Sequence, residues 1–148
     1  MTTTIFVYGT LKRGFPNHAL YMGDAQFFGD VRTCEHFPLV IGGRWRSPYL
    51  IDEPGSGHRV AGEAFLVNAA TLARLDELEA VHLANGYHRA TVAVEPLAGG
   101  PAFEALAYLK RRATIETITE ILTDAYPLDP LYVPAAARAS ARNRAEDV

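Results

Sequence analysis

The 148-residue sequence contains a single cysteine, Cys34. This excludes an intrachain disulfide framework and a zinc site built from several thiolates, and a lone thiol without an activating context reads as an inert packed side chain. No apolar run approaches the ~20 residues that span a bilayer, and the N-terminal stretch lacks the basic-then-apolar order of a signal peptide. The chain is therefore expected to be cytoplasmic and to have no membrane partner. The histidines His18, His36, His58, His82 and His88 form no H-x-x-x-H pair, so each reads as a surface or hydrogen-bonding residue and no metal site is expected. The phosphate-cradling G-x-x-x-x-G-K-[ST], the dinucleotide G-x-G-x-x-G and the serine-hydrolase G-x-S-x-G are all missing. A net charge of −3 gives no broad attraction for nucleic acid. With 49% hydrophobic and 21% charged residues, the composition is that of a globular chain with its own core, not a disordered one.

Short β-rich segments dominate what is there. Thr3-Thr4-Ile5-Phe6-Val7-Tyr8 reads as a strand ended by Gly9-Thr10-Leu11-Lys12-Arg13-Gly14 and the turn residues Pro16-Asn17. Further strands are expected at 39–41, 49–51, 59–67, 87–94 and 102–109. Alternation puts Ala90, Val92 and Val94 on one face and Phe103, Ala105, Ala107 and Leu109 on another. Asn68 is placed to cap a helix running to about Ala80, and Thr114 to cap a second, with Ile115, Ile118, Leu122 and Ala125 at helical spacing and Pro127 and Pro130 ending it. Lys110-Arg111-Arg112 reads as a solvated strand end. The expected architecture is α+β, a mixed sheet that can close into a barrel: a single domain over 1–134, with a mobile or loosely docked tail over 135–148.

Two segments carry candidate chemistry. In Leu72-Ala73-Arg74-Leu75-Asp76-Glu77-Leu78-Glu79, the leucines centre an apolar stripe. Glu79 falls roughly 40° from its centre, Asp76 about 100° away at its edge, and Glu77 about 160° away toward solvent. A carboxylate removed from water must be paired, or its pKa rises toward the range a general acid/base needs. The alternative is a Glu79 that curls outward or pairs with Arg74 or Arg89. In Tyr8-Gly9-Thr10-Leu11, a strand running into Gly-Thr offers successive backbone N–H groups to a carboxylate or oxyanion, the alternative being a plain strand-ending turn.

Phe6-Val7-Tyr8-Gly9-Thr10-Leu11-Lys12-Arg13-Gly14, then Pro16-Asn17-His18, Pro38-Leu39-Val40-Ile41, Pro54-Gly55-Ser56-Gly57, Val60-Ala61-Gly62-Glu63, Leu75-Asp76-Glu77-Leu78-Glu79 and Tyr87-His88-Arg89 occur in that order. Together they resemble the gamma-glutamylamine cyclotransferases of the gamma-glutamylcyclotransferase-like superfamily, over roughly residues 5 to 95. The resemblance implies a small mixed β-barrel with flanking helices. It also implies an enzyme that converts a small gamma-glutamyl substrate to 5-oxoproline and a free amine, with Glu79 as catalytic carboxylate, Tyr8, Gly9, Thr10 and Leu11 as the substrate-binding turn, and no cofactor. The stretch from Ala80 to Gly86 is longer than the resemblance leads one to expect, which leaves the leaving amine open. Two other readings stand beside this one: a non-catalytic binding module for a small anionic metabolite, and removal of a gamma-glutamyl protecting group from a biosynthetic intermediate. A nucleic-acid role through Arg138, Arg142 and Arg144 ranks last, because Glu146 and Asp147 offset them.

Overall fold

The structure, a computed structural model, describes residues 2–138. Eight strands and two helices follow in the order β1 (Thr2–Val7), α1 (His18–Tyr21), β2 (Gln26–Thr33), β3 (Leu39–Gly42), β4 (Ser47–Leu50), β5 (Ala61–Asn68), α2 (Ala69–Leu78), β6 (His88–Pro96), β7 (Phe103–Leu109) and β8 (Ile118–Leu122). Five strands close a barrel in the order β1-β5-β2-β6-β7. It is mixed because β1 and β7 run parallel where the barrel closes, with Ile5 opposite Leu106, while its other pairs are antiparallel. A second sheet, β4-β3-β8, lies beside it.

Side chains that alternate along a strand face opposite sides, and this sorts the core into two clusters. Phe6, Val31, Ala64, Val92, Val94, Ala105, Ala107 and Leu109 pack in one. Val92 sits opposite Ala105 and Ala90 opposite Ala107, so the expected faces of β6 and β7 meet. Ile5, Val7, Phe65 and Val67, the odd members of β1 and β5, pack in the other cluster with Leu75 of α2 and Met22. Gly62 lets β5 approach β1: a Cβ there would run into the Val7 carbonyl and lie 2.6 Å from the Phe6 ring. As the sequence predicts, the Asn68 side chain caps α2, accepting from the Thr71 N–H at 2.8 Å.

Two expectations fail. Residues 114–125 form no α-helix; Arg112–Thr114 is a short 3-10 turn, and Ile118–Leu122 is β8, paired antiparallel with β3. The segment is rich in β-branched residues, and the open edge of β3 offers a hydrogen-bonded ladder that a lone helix lacks. Strand β2 was not among the expected strands; its ladder to β5 is interrupted by a bulge between Phe27 and Gly29. Of the tail, only 135–138 lies within the described residues. It makes a 3-10 turn, with Arg138 Nε donating to Val133 O at 3.1 Å and Nη2 lying 3.5 Å from Ser47 Oγ.

Candidate functional site

The end of α2, the turn after β1 and the entry to β6 converge on one cleft. Helix α2 stops in a Schellman arrangement: the Ala80 N–H donates to Glu77 O and the Val81 N–H to Asp76 O, both at 3.1 Å. Ala80 adopts the left-handed conformation this requires, with φ 54°. Glu79 is thereby held as the last residue before the chain turns away, its N–H on Leu75 O at 2.9 Å and its carbonyl accepting from Tyr87 N at 3.0 Å. The loop from 81 to 86 folds back tightly, since a Cβ on Gly86 would run into the Ala80 carbonyl.

Glu79 lines two adjoining cavities. The smaller is also lined by Tyr8, Gly9, Thr10, Leu11, Tyr87 and Tyr108. The larger shares Thr10, Pro48, Glu79 and Tyr87 with it and extends to Lys110, Tyr132 and Arg138. All five site residues expected from the sequence therefore border the smaller cavity. The Glu79 residue as a whole is only partly covered, but its carboxyl group is desolvated, and burial pushes its pKa up to about 7, with the nearby charges of Arg138 and Lys110 restraining the rise. The neighbours that would have drawn it outward are engaged elsewhere: Arg89 pairs with Asp76 at 3.4 Å, and Arg74 donates to Leu20 O at 2.6 Å. Asp76 also accepts from the Tyr108 hydroxyl at 2.7 Å, and Glu77 faces solvent.

The opposing turn is held by side chains rather than by a ladder. Asn17, buried, donates through Nδ2 to Thr10 Oγ1 and to the Tyr132 hydroxyl, both at 2.9 Å, and its own N–H bonds Thr10 O at 3.0 Å. His18 Nδ1 lies 2.8 Å from Leu11 O, and Glu63 accepts from the Arg13 N–H at 2.7 Å. Gly9 is required by close approach, because a Cβ would lie 2.6 Å from Pro48 Cγ. Among the described residues, the N–H groups of Gly9, Thr10 and Leu11 donate to no protein acceptor. Open amides on one wall face a buried carboxyl on the other. The Tyr8 hydroxyl is not free for substrate: it donates to Tyr108 O at 2.6 Å and accepts from the Leu50 N–H at 3.3 Å, and burial raises its pKa.

Several contributors were missed in the sequence. Lys110 is no solvated strand end: it is buried, donates to Asn85 O, and lies 5.3 and 5.4 Å from the Tyr49 and Tyr87 ring centres. Burial lowers its pKa, partly offset by the Glu79 charge. The alternation of β7 carried the signal, since turning 105, 107 and 109 one way turns Tyr108 and Lys110 the other. Tyr132 and Arg138 had no such signal. No cluster of three or more His, Cys, Asp or Glu side chains among the described residues could hold a metal ion.

A small barrel that sets a desolvated carboxyl and unpaired backbone amides around one cavity is a framework suited to acid/base chemistry. Residues 5–127 match the family described as gamma-glutamyl cyclotransferase, AIG2-like, and the chain belongs to it. It is 42% identical over 118 residues to the gamma-glutamylaminecyclotransferase of Rattus norvegicus, covering 74% of this chain and 78% of that one. An Arabidopsis thaliana relative is 49% identical over 85 residues, and the human gamma-glutamylaminecyclotransferase 47% over 79. These matches cover 54% and 51% of this chain but only 45% and 52% of the relatives, so this chain spans about half the length of both. The crystal structure of an AIG2-like protein from Mus musculus superposes with a TM-score of 0.67 at 37% identity, covering 74% of this chain and 77% of that one.

Proposed function

We propose that the protein is a gamma-glutamyl cyclotransferase that releases an amine from a gamma-glutamyl amide as 5-oxoproline forms. Family membership and the relatives' names support the reaction class. The observation that carries the reading is the desolvated Glu79 carboxyl, with a pKa near 7, lining one cavity together with the open amides of residues 9–11.

Glu79 as carboxylate takes a proton from the substrate's α-ammonium group. The freed amine attacks the γ-carbonyl carbon, forming the ring C–N bond. As the tetrahedral adduct collapses, the bond to the leaving nitrogen breaks and Glu79 returns its proton there. The second proton shed by the ring nitrogen leaves with the product amine as ammonium, and Glu79 ends as carboxylate. The amides of the 9–11 turn hold the substrate carboxylate and bend the chain toward ring closure, so the enzyme mainly selects a near-attack conformer of a nucleophile already attached. A group of pKa about 7 occupies both protonation states near neutrality, as the two steps require.

Assay of 5-oxoproline release from gamma-glutamyl-lysine isomers, other gamma-glutamyl amines and gamma-glutamyl amino acids tests the reaction. Glu79→Gln keeps the shape and removes the base; kcat/KM is expected to fall by about 10²–10⁴-fold, and the parent's acidic limb to lie near pH 7. A Gln variant as fast as the parent would overturn the role given to Glu79, and no turnover of any substrate would overturn the reaction.

A further inference from the structure

The turn after β1 carries one donor besides its open amides. Thr10 is buried, yet it lines both cavities. Its hydroxyl oxygen accepts from Asn17 Nδ2 at 2.9 Å, and among the described residues its own proton has no acceptor. A hydroxyl has a single proton to give. With the oxygen held by an N–H, that proton turns away from Asn17 and stays available, and the accepted bond makes it a stronger donor. Asn17 is itself fixed. It is buried, its Nδ2 also donates to the Tyr132 hydroxyl at 2.9 Å, and its backbone N–H donates to Thr10 O at 3.0 Å. The backbone bond already pins the two residues together, so what the side-chain bond adds is the direction of one hydroxyl.

We infer that Asn17 is a positioning residue for the reaction: it sets the Thr10 hydroxyl as a donor, so that the turn offers the substrate carboxylate a side-chain O–H beside the open N–H groups of Gly9, Thr10 and Leu11. The inference rests on the cyclotransferase reading above and deepens it at the glutamyl end of the substrate. An ionised carboxylate has two oxygens and about four lone-pair sites, a number that three amides and one hydroxyl match. Hydrogen bonds to a charged acceptor are the strong ones, and a donor aimed in advance avoids the cost of ordering a free rotor on binding. The carboxylate takes no part in the bonds that form and break, so its contacts are alike in the bound substrate and during ring closure. Their loss therefore falls on KM more than on kcat.

The test is a double-mutant cycle on steady-state 5-oxoproline release, with the fastest of the gamma-glutamyl substrates named above. Thr10→Val keeps the shape and removes the hydroxyl; KM is expected to rise about tenfold or more with a much smaller change in kcat, while Thr10→Ser stays near the parent. Asn17→Ala is expected to raise KM about three- to tenfold in the parent and in Thr10→Ser, but by less than about twofold in Thr10→Val, where the hydroxyl it acts through is gone. Asn17→Asp keeps the side chain's shape and, once ionised, only accepts, so it takes the Thr10 proton. KM should then rise at least as far as in Asn17→Ala, which keeps the test decisive if Asn17→Ala does not fold. Equal rises for Asn17→Ala with and without the Thr10 hydroxyl, a parent-like KM in Thr10→Val or Asn17→Asp, or a loss confined to kcat each overturns this role of Asn17 while leaving the reaction standing. No 5-oxoproline from any substrate with the parent overturns the reaction and the role together.

Discussion

Glu79 is a destabilising residue by ordinary rules, and the cost has a measurable sign. Its folded-state pKa of about 7 stands above the ordinary value of 4.5. Below about 4.5 the side chain is protonated in both the folded and unfolded chains, and the stability linked to it is fully present. As pH rises through 7, the unfolded chain carries its charge in water while the folded chain must ionise in the cleft, so that stability is lost. The shift corresponds to ~1–3 kcal/mol after allowing for the partial exposure of the residue. Urea unfolding of the parent at pH 5 and pH 8 should show this loss, and Glu79→Gln should remove it and be the more stable of the two at pH 8. Parallel pH profiles for the two proteins would mean the carboxyl is solvated. That Glu79 faces inward was legible from its angle to Leu72, Leu75 and Leu78. Its isolation from Arg74 and Arg89 was not, because the Leu20 carbonyl and Asp76 that engage them are set by tertiary packing.

The termination of α2 decides where that carboxyl points. The helix ends at Leu78 with Glu79 as its C-cap, within two residues of the expected Ala80, because the chain enters the left-handed region at Ala80. Glycine is the usual residue there, and an alanine gives the sequence no stop signal. The same feature predicts that Ala80→Gly relieves the Cβ strain and stabilises the protein by roughly 0.5–1 kcal/mol. Thermal unfolding checks this: a lower midpoint would show that the Ala80 methyl contributes packing worth more than the strain. Other elements divide in the same way. The faces of β6 and β7 were readable because an unbroken period of two has one interpretation. Strand β8 was misread because Ile118 and Leu122 are four apart, a spacing common to helix and strand, and only the edge of β3 decides between them. Strand β2 was hidden by its bulge, since one extra residue at Phe28 destroys the alternation that reveals a strand.

The second sheet gives the whole molecule its C-terminal strap. The turn between β3 and β4 carries Arg46, whose Nε lies 2.8 Å from Asp129 Oδ2 and whose Nη2 pairs with Glu120. Trp45 in the same turn accepts from Val133 N at 3.2 Å, and Tyr132, three residues after Asp129, accepts from Asn17 behind the 9–11 turn. Barrel, second sheet and strap thus meet at the larger cavity, with Arg46 holding the strap without touching the cavity itself. Arg46 is accordingly a clamp between the second sheet and the strap. Arg46→Ala should lower the thermal unfolding midpoint by roughly 2–6 °C. Adding Asp129→Ala to Arg46→Ala should then lower it little further, because the two substitutions remove one interaction and do not add. If the two losses add in full, contacts other than this ion pair hold the strap to the turn between β3 and β4.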